Sequence, residues 1–523
     1  MFQNKIKRGR KTLKLTKKIS AILLAMLVAL SMTVTAFAAE DYSITINNDV
    51  DNHTYEAYQI FTGDLHDGVL SNIVWGTGVT EEGKTALGDA SAKAEALTDD
   101  NAVAFAKEVA KYLTDVCAST NTKTDGEYVI SGLTAGYYLV KDQDNSLAGA
   151  DDAYTSYILK VVGNVTANPK SGKPTFEKKV KDINDSTETT KTDWQDSADY
   201  DIGDMVDFQL KGTVASNYDS YETYYFAFHD KDSAGLTFDP SSVKVYVDGT
   251  LITGNYEVVT DVEDDCTFEV VFSDLKDIAE VKANSEITVE YQSELNEDAV
   301  LGSTGNPNEC YLEYSNNPNF DQSGDGEGGD GGEGDEDKPE TGKTPEDKVI
   351  VFTYKTVVNK VDANGNPLTG AEFTLEKYNE TTKVWDTVAV VVNDEGTVFT
   401  FNGIDDGKYR LTETDTPEGY NSIDPIYFEV TAEHDVKSDN PALTSLAATQ
   451  TKADGTNLTS GVIAVFSADL TAGSLSTDIV NNTGSTLPST GGMGTVAIYV
   501  LGAVLVLGGA ICFIVKKRMG YEA

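Results

Sequence analysis

The sequence predicts an all-β chain built as a series of β-sandwich domains, the first with a helical insertion. Three observations lead there. Short segments in which apolar and polar residues alternate recur along the chain and close on Gly, Asn or Asp turns. Helical spacing of apolar residues stands out in one segment of the folding region. Both ends carry targeting segments, which leaves residues 39–490 to fold.

Taken in order, residues 1–18 hold Lys5, Lys7, Arg8, Arg10, Lys11, Lys14, Lys17 and Lys18 and no acid, and an apolar stretch follows over 19–34. Ala36-Phe37-Ala38 then offers small residues for cleavage, so residues 1–38 read as a secretory signal peptide. The first domain spans 39–170. Residues 42–46 and 55–61 alternate as strands. Ala102, Phe105, Val109 and Tyr112 or Leu113 form an apolar stripe, giving one helix from an Asp99 or Asp100 N-cap to about Asp115. Strands resume at 128–130, 136–141 and 157–162.

A second domain covers 171–322, where Val243-Lys244-Val245-Tyr246-Val247 runs into an Asp248-Gly249 turn. Residues 323–343 are dominated by Gly, Asp and Glu, which cannot bury a core, and read as an acidic linker. The spacing of their acids fits no EF-hand loop. The third domain, 344–484, opens with an apolar run over 349–354, continues through Val357-Val358-Asn359-Lys360-Val361-Asp362, and turns at Asn364-Gly365. Residues 485–523 contain Leu487-Pro488-Ser489-Thr490-Gly491, an uncharged apolar run over 494–515 long enough for one membrane-spanning helix, and Lys516-Lys517-Arg518, which resist translocation.

Charge narrows the partners. The chain carries −45; the signal contributes +8 and the tail beyond Thr490 +2, so the exported part carries −55. Nucleic acid and anionic membrane would both be repelled. Of four cysteines, Cys512 lies in the apolar tail, Cys117 stands apart, and Cys266 and Cys310 are a candidate pair. Disulfides are therefore not the main device stabilising this exported protein. His53, His66, His229 and His434 show no metal-ligand spacing, and no cofactor motif, G-x-S-x-G elbow or Cys-His pairing points to an enzyme.

Alternation also places polar groups where none should be. Phe176, Lys178 and Val180 share one strand face; so do Phe226, Phe228 and Asp230, and so do Leu312, Tyr314 and Asn316. Three strands each send one polar group inward: an amine, a carboxyl and a carboxamide. Burying an unpaired lysine is costly. Desolvation lowers the amine pKa and raises that of the acid, which leaves a neutral nucleophile beside a protonated carboxyl. The amine then attacks the amide while the acid shuttles protons, ammonia departs and a Lys–Asn isopeptide bond remains. On the loop-entropy scale used for disulfides, closing the Lys178–Asn316 loop would stabilise the domain by roughly 5 kcal/mol.

These residues sit within motifs that resemble a known family. The C-terminal pentapeptide, apolar run and basic cluster resemble the cell-wall sorting signal of Gram-positive surface proteins, in which a sortase cysteine cleaves the bond here formed by Thr490-Gly491 and retains the Thr carbonyl as a thioester. Ala198-Asp199-Tyr200, Gly203-Asp204, Phe208-Gln209-Leu210, Phe228-His229-Asp230, Gly235-Leu236-Thr237-Phe238 and Tyr314-Ser315-Asn316-Asn317-Pro318 resemble the isopeptide-forming middle domain of Gram-positive major (backbone) pilins. Facing favours Asn316 over Asn317 as the reacting amide. Lys360-Val361-Asp362 with Gly370-Ala371-Glu372-Phe373 is similar to the start of a CnaB-type domain, and Tyr409-Arg410-Leu411-Thr412-Glu413-Thr414 to its E-box. The resemblance implies Ig-like domains of the CnaA/CnaB type, with Glu413 as catalytic carboxyl and Asn481, or its neighbour Asn482, as partner of Lys360. In the first domain Gly136-Tyr137-Tyr138-Leu139-Val140-Lys141 has the E-box shape with lysine in place of Glu, so no isopeptide is expected there.

Asn164-Val165-Thr166-Ala167-Asn168-Pro169-Lys170 resembles the pilin motif, with Asn168 where the family has Tyr. The resemblance implies that Lys170 attacks the sortase-held Thr490 carbonyl of another copy, which builds a covalent fibre. The implied partners are other copies of the chain, a pilus sortase and a wall-anchoring sortase, peptidoglycan and ancillary pilins, with the membrane involved only before sorting. The expected product is a structural pilus subunit on the Gram-positive cell wall. The alternative is a monomeric LPxTG wall-anchored adhesin in which Lys170 has no role.

Overall fold

A computed structural model describes residues 42–66, 69–114, 116–161, 164–169, 171–262, 264–319, 340–484, 499–509 and 511. The signal peptide, Lys170, most of the acidic linker and the LPSTG pentapeptide with part of the apolar run behind it lie outside these residues. Among the described residues no helix is long and apolar enough to cross a membrane.

Alternating sequence yields paired sheets throughout. In the N-terminal part, a sheet ordered Lys123–Thr124, Glu127–Leu133, Tyr42–Asn47 and Val165–Ala167 faces a second one built on Tyr55–His66 and Tyr137–Asp142. Three helices attach here, where the periodicity implied one. Glu81–Leu87 is capped by the Thr80 side chain, Ala90–Ala96 by Asp89, and the expected helix runs Ala102–Ala110 from Asn101. It is shorter than the Asp99 or Asp100 to Asp115 span expected: Phe105, Ala106 and Val109 are buried, and Tyr112 and Leu113 lie half-buried beyond its end.

The middle part packs two larger sheets around one core. One is ordered Phe176–Val180, Met205–Thr213, Glu286–Leu295, Leu236–Val247 and Thr250–Ile252. The other runs Ser197–Asp199, Asp347–Phe352, Asn306–Ser315, Phe226–Asp232, Phe268–Phe272 and Glu257–Val259, with Thr341–Lys343 also paired to Asn306–Ser315. This corrects one expectation. The apolar run over 349–354 is not a single strand opening the third domain: Asp347–Phe352 hydrogen-bonds beside Asn306–Cys310 in the middle sheet, and a new strand starts at Tyr354. Val349 and Val351 pack in the middle core, and Phe352 and Tyr354 in the C-terminal one.

The C-terminal part repeats the sandwich. Val390–Val392, Val398–Ile404, Tyr354–Asp362, Ser474–Asn481 and Ser467–Asp469 form one sheet; Val384–Val388, Glu372–Asn379, Gly407–Asp415, Ile426–His434 and Leu443–Thr451 form the other. Its first and last long strands, Tyr354–Asp362 and Ser474–Asn481, lie side by side and parallel.

Polar contacts join the middle and C-terminal sandwiches. Lys377 is buried and ion-paired to Asp405 of its own sandwich, and to Asp201 at 2.8 Å and Asp185 at 2.5 Å from the middle one. Gly302 and Gly473 meet backbone to backbone, both at positive φ, and a Cβ on Gly302 would fall 2.4 Å from the Gly473 nitrogen. His434 reaches Ser197 Oγ at 2.8 Å and lies 3.5 Å from Asp182 and 3.6 Å from Asp199. Burial alone would lower the imidazole pKa, but hydrogen bonds and charge from these two acids outweigh it and raise the pKa from 6.5 to about 10. A folded value above the unfolded one means that this contribution is complete below pH 6.5 and is lost as pH rises through about 10. The melting temperature of wild type should therefore fall across that window relative to His434→Gln, measured side by side. Parallel profiles would contradict the assignment.

Candidate functional site

The middle core contains a polar cluster that bridges its two sheets. Lys178, fully buried, sits on Phe176–Val180 opposite Leu210. Its Nζ is ion-paired to Asp230 on the facing sheet and lies 2.9 Å from the Tyr291 hydroxyl. Burial raises the Asp230 pKa, with Lys178 opposing. The alternation of 176, 178 and 180 thus delivers the amine inward, and that of 226, 228 and 230 delivers the acid.

The expected amide is elsewhere. Asn316 is buried, but its Nδ2 donates to the carbonyls of Leu147 at 2.8 Å and Asp152 at 3.2 Å, and its main-chain carbonyl accepts from Tyr154 N. It fastens the N-terminal sandwich to the middle one. The amide within the lysine cluster is Asn308, whose Nδ2 lies 2.8 Å from the Tyr291 hydroxyl and whose Oδ1 has no protein hydrogen-bond partner. Register explains the error. Asn306–Ser315 runs antiparallel to Phe226–Asp232, pairing Phe226 with Tyr314, Asp230 with Cys310 and Asp232 with Asn308. Asn308 and Asn316 share a face but stand eight residues apart, about 26 Å along an extended strand. Face parity could not separate them; the antiparallel direction, which moves the partner of Asp230 toward lower numbers, could have. Tyr291 was also missed, because a tyrosine on an apolar strand face reads as core.

In the C-terminal sandwich the three expected residues do converge. Lys360 Nζ is fully buried, 2.9 Å from the Ile479 carbonyl and 4.0 Å from Glu413 Oε1. Glu413 Oε2 accepts from Asn481 Nδ2 at 3.0 Å and from Thr416 Oγ1 at 3.1 Å. Parallel pairing sets Lys360 beside Ile479 and Asp362 beside Asn481. Burial lowers the Lys360 pKa and Glu413 only partly opposes it, so the amine is shifted toward its nucleophilic form. In the N-terminal sandwich, Lys141 at the E-box position bonds Asp144 at 2.5 Å.

Cys266 and Cys310 are both free thiols. His229, Asp264 and Cys266 bring possible metal-ligand atoms within 4.8 Å of one another, a grouping that their spacing in sequence hides. Acids surround the imidazole: His229 lies 3.3 Å from Asp264, 3.2 Å from Glu269 and 3.1 Å from Glu313, and Asp264 also accepts from Tyr311 and from Cys266 N.

Comparison with known proteins places this geometry. Residues 202–318 match the family described as Gram-positive pilin backbone subunit 2, Cna-B-like domain. Over those residues the middle sandwich matches a Gram-positive pilin backbone domain. Residues 355–441 match the SpaA prealbumin-like fold domain. The trypsin-resistant surface T6 protein of Streptococcus pyogenes serotype M6 is 26% identical over 450 residues, spanning 76% of this chain and 77% of that protein. Fimbrial subunit type 1 of Actinomyces viscosus is 33% identical over 115 residues, 22% of this chain and 16% of that protein. The solved T6 backbone pilin of S. pyogenes, described as a modular three-domain structure, superposes with a TM-score of 0.55 at 19% identity, covering 86% of this chain and all of that one, which establishes a shared fold.

Removing the Asn316 side chain leaves two buried carbonyls without their donor, at a cost of about 1–3 kcal/mol. Asn316→Ala should speed hydrogen exchange across 147–157 and leave the chemistry of Lys178 untouched. Protection unchanged from wild type would remove its docking role.

Proposed function

We propose that this chain is the backbone subunit of a covalent cell-surface pilus, a structural protein and not an enzyme acting on other molecules. The observation that carries this reading is the pilin-backbone domain over 202–318 on a chain that also holds an Asn-Pro-Lys lysine and an LPSTG signal. A sortase joins the Thr490 carbonyl of one copy to the Lys170 amine of the next, releasing the residues from Gly491 onward, and a second transfer attaches the fibre to peptidoglycan. In boiled, detergent-treated wall extracts, wild type should give a high-mass ladder on immunoblots and Lys170→Ala a single monomer band. A single band for both would favour the monomeric adhesin, and a ladder that survives the substitution would move the linkage to another lysine.

Inside the subunit the two buried clusters form isopeptide bonds, Lys178 to Asn308 and Lys360 to Asn481, with Asp230 and Glu413 as proton carriers. In each, the amine nitrogen displaces the amide nitrogen at the Asn carbonyl carbon and one ammonia leaves. What supports this is an amine, an acid and a carboxamide buried together twice, in two sandwiches of unrelated local sequence. The first bond ties sheet to sheet; the second ties the first long strand of its sandwich to the last. Intact mass should fall two ammonia masses below the sequence value. Lys178→Ala and Lys360→Ala should each restore one and lower domain stability by about 5 kcal/mol through lost loop closure. A mass equal to that of the uncondensed chain would refute the chemistry.

A further inference from the structure

The two clusters differ in how the acid reaches the amide. Glu413 touches Asn481 Nδ2 directly, at 3.0 Å. Asp230, one methylene shorter, stands in register with Cys310 and not with Asn308, and the Tyr291 hydroxyl occupies the space between acid and amide. It lies 2.9 Å from Asp230 Oδ2, 2.9 Å from Lys178 Nζ and 2.8 Å from Asn308 Nδ2. A phenol has one proton and two lone pairs. Here the proton goes to Asp230, and the lone pairs accept from Lys178 and Asn308. Tyr291 comes from the centre of Glu286–Leu295, two strands from Lys178 in the same sheet, with its ring packed against Phe208, Phe238 and Phe268 at centroid distances of 5.4, 5.6 and 5.0 Å. Packing fixes the ring, so the hydroxyl is held in place before any bond is made.

We propose that Tyr291 is a catalytic residue of the middle domain, the relay that carries the Asp230 proton to the departing amide nitrogen of Asn308. The inference rests on the isopeptide reading above. The reaction starts when Lys178 hands a proton to Asp230 within their ion pair, leaving an amine lone pair beside a protonated acid. The Lys178 Nζ lone pair attacks Asn308 Cγ, the Nζ–Cγ bond forms, and the carbonyl electron pair moves to Oδ1. With Asp230 protonated and the amide nitrogen now tetrahedral, the phenol hydrogen turns from Asp230 to Nδ2; Tyr291 passes it to Nδ2 as Asp230 passes its own proton to the phenol oxygen. The Cγ–Nδ2 bond then breaks, ammonia leaves, the carbonyl re-forms, and the surplus proton on Nζ returns to Asp230. Acid and phenol end as they began. The C-terminal domain needs no such relay because its longer acid already meets the amide.

The test follows the Lys178–Asn308 branched peptide by mass spectrometry after pulse-labelled synthesis of the full chain, with the Lys360–Asn481 branch as internal reference. Tyr291→Phe keeps the ring and its aromatic contacts and should slow the first branch roughly a hundredfold, the size of a lost general acid–base contribution, with the second unchanged. Adding Asp230→Glu to Tyr291→Phe should recover the branch, because the longer acid then spans the gap as Glu413 does. Formation at the wild-type rate in Tyr291→Phe, or loss that Asp230→Glu does not recover, would overturn the relay; the latter would leave Tyr291 a packing residue. Absence of the branch in wild type would instead bring down the isopeptide reading itself.

Discussion

A primary amine buried between β-sheets has to be neutralised, and how each lysine of this chain meets that demand organises much of the structure. Lys178, Lys360 and Lys377 are all removed from water. Lys377 faces three carboxylates. Burial would lower its pKa, but Asp405, Asp201 and Asp185 outweigh burial and hold it as an ammonium well above the ordinary range. Lys360 has one carboxylate, 4.0 Å away, and there burial wins and the pKa falls. The same residue type, equally hidden, becomes an ionic clasp in one place and a candidate nucleophile in the other. The number and distance of acids decide which.

On the proposed reading, the clusters lie along the path of load. A bond from Lys178 to Asn308 would couple the two middle sheets, and one from Lys360 to Asn481 would couple neighbouring parallel strands at the entry and exit of the C-terminal sandwich. Tension between Lys170 and Thr490 would then cross those sandwiches along covalent links in addition to hydrogen-bond ladders. Between sandwiches the contacts are noncovalent: Asn316 with the Leu147 and Asp152 carbonyls at one junction, Lys377, His434 and the Gly302–Gly473 contact at the other. These junctions would yield before the domains they connect.

Much of this was legible in the residues, because a strand has a period of two and a polar residue in phase with apolar ones announces itself. Lys178 and Asp230 lie buried as that parity implied, and Lys360, Glu413 and Asn481, which only the resemblance to CnaB-type domains had singled out, are buried too. Parity fails in one specific way: it gives the face and leaves the position along the strand open. Asn316 and Asn308 satisfy it equally, and only long-range register assigns one to the inter-sandwich junction and the other to the lysine. For the same reason the run over 349–354 could be recognised as strand without revealing that its first part belongs to the middle sheet. The helices Glu81–Leu87 and Ala90–Ala96 span too few turns for an apolar stripe to repeat, so only their caps at Thr80 and Asp89 could have signalled them.

Whether the buried amines are bonded to the amides beside them can be seen in an atomic-resolution crystal structure of the exported chain. Density should run unbroken from Lys178 Nζ to Asn308 Cγ and from Lys360 Nζ to Asn481 Cγ, with Asn316 an intact amide hydrogen-bonded to Leu147 and Asp152. Separate lysine and asparagine side chains, or a link from Lys178 to Asn316, would contradict it.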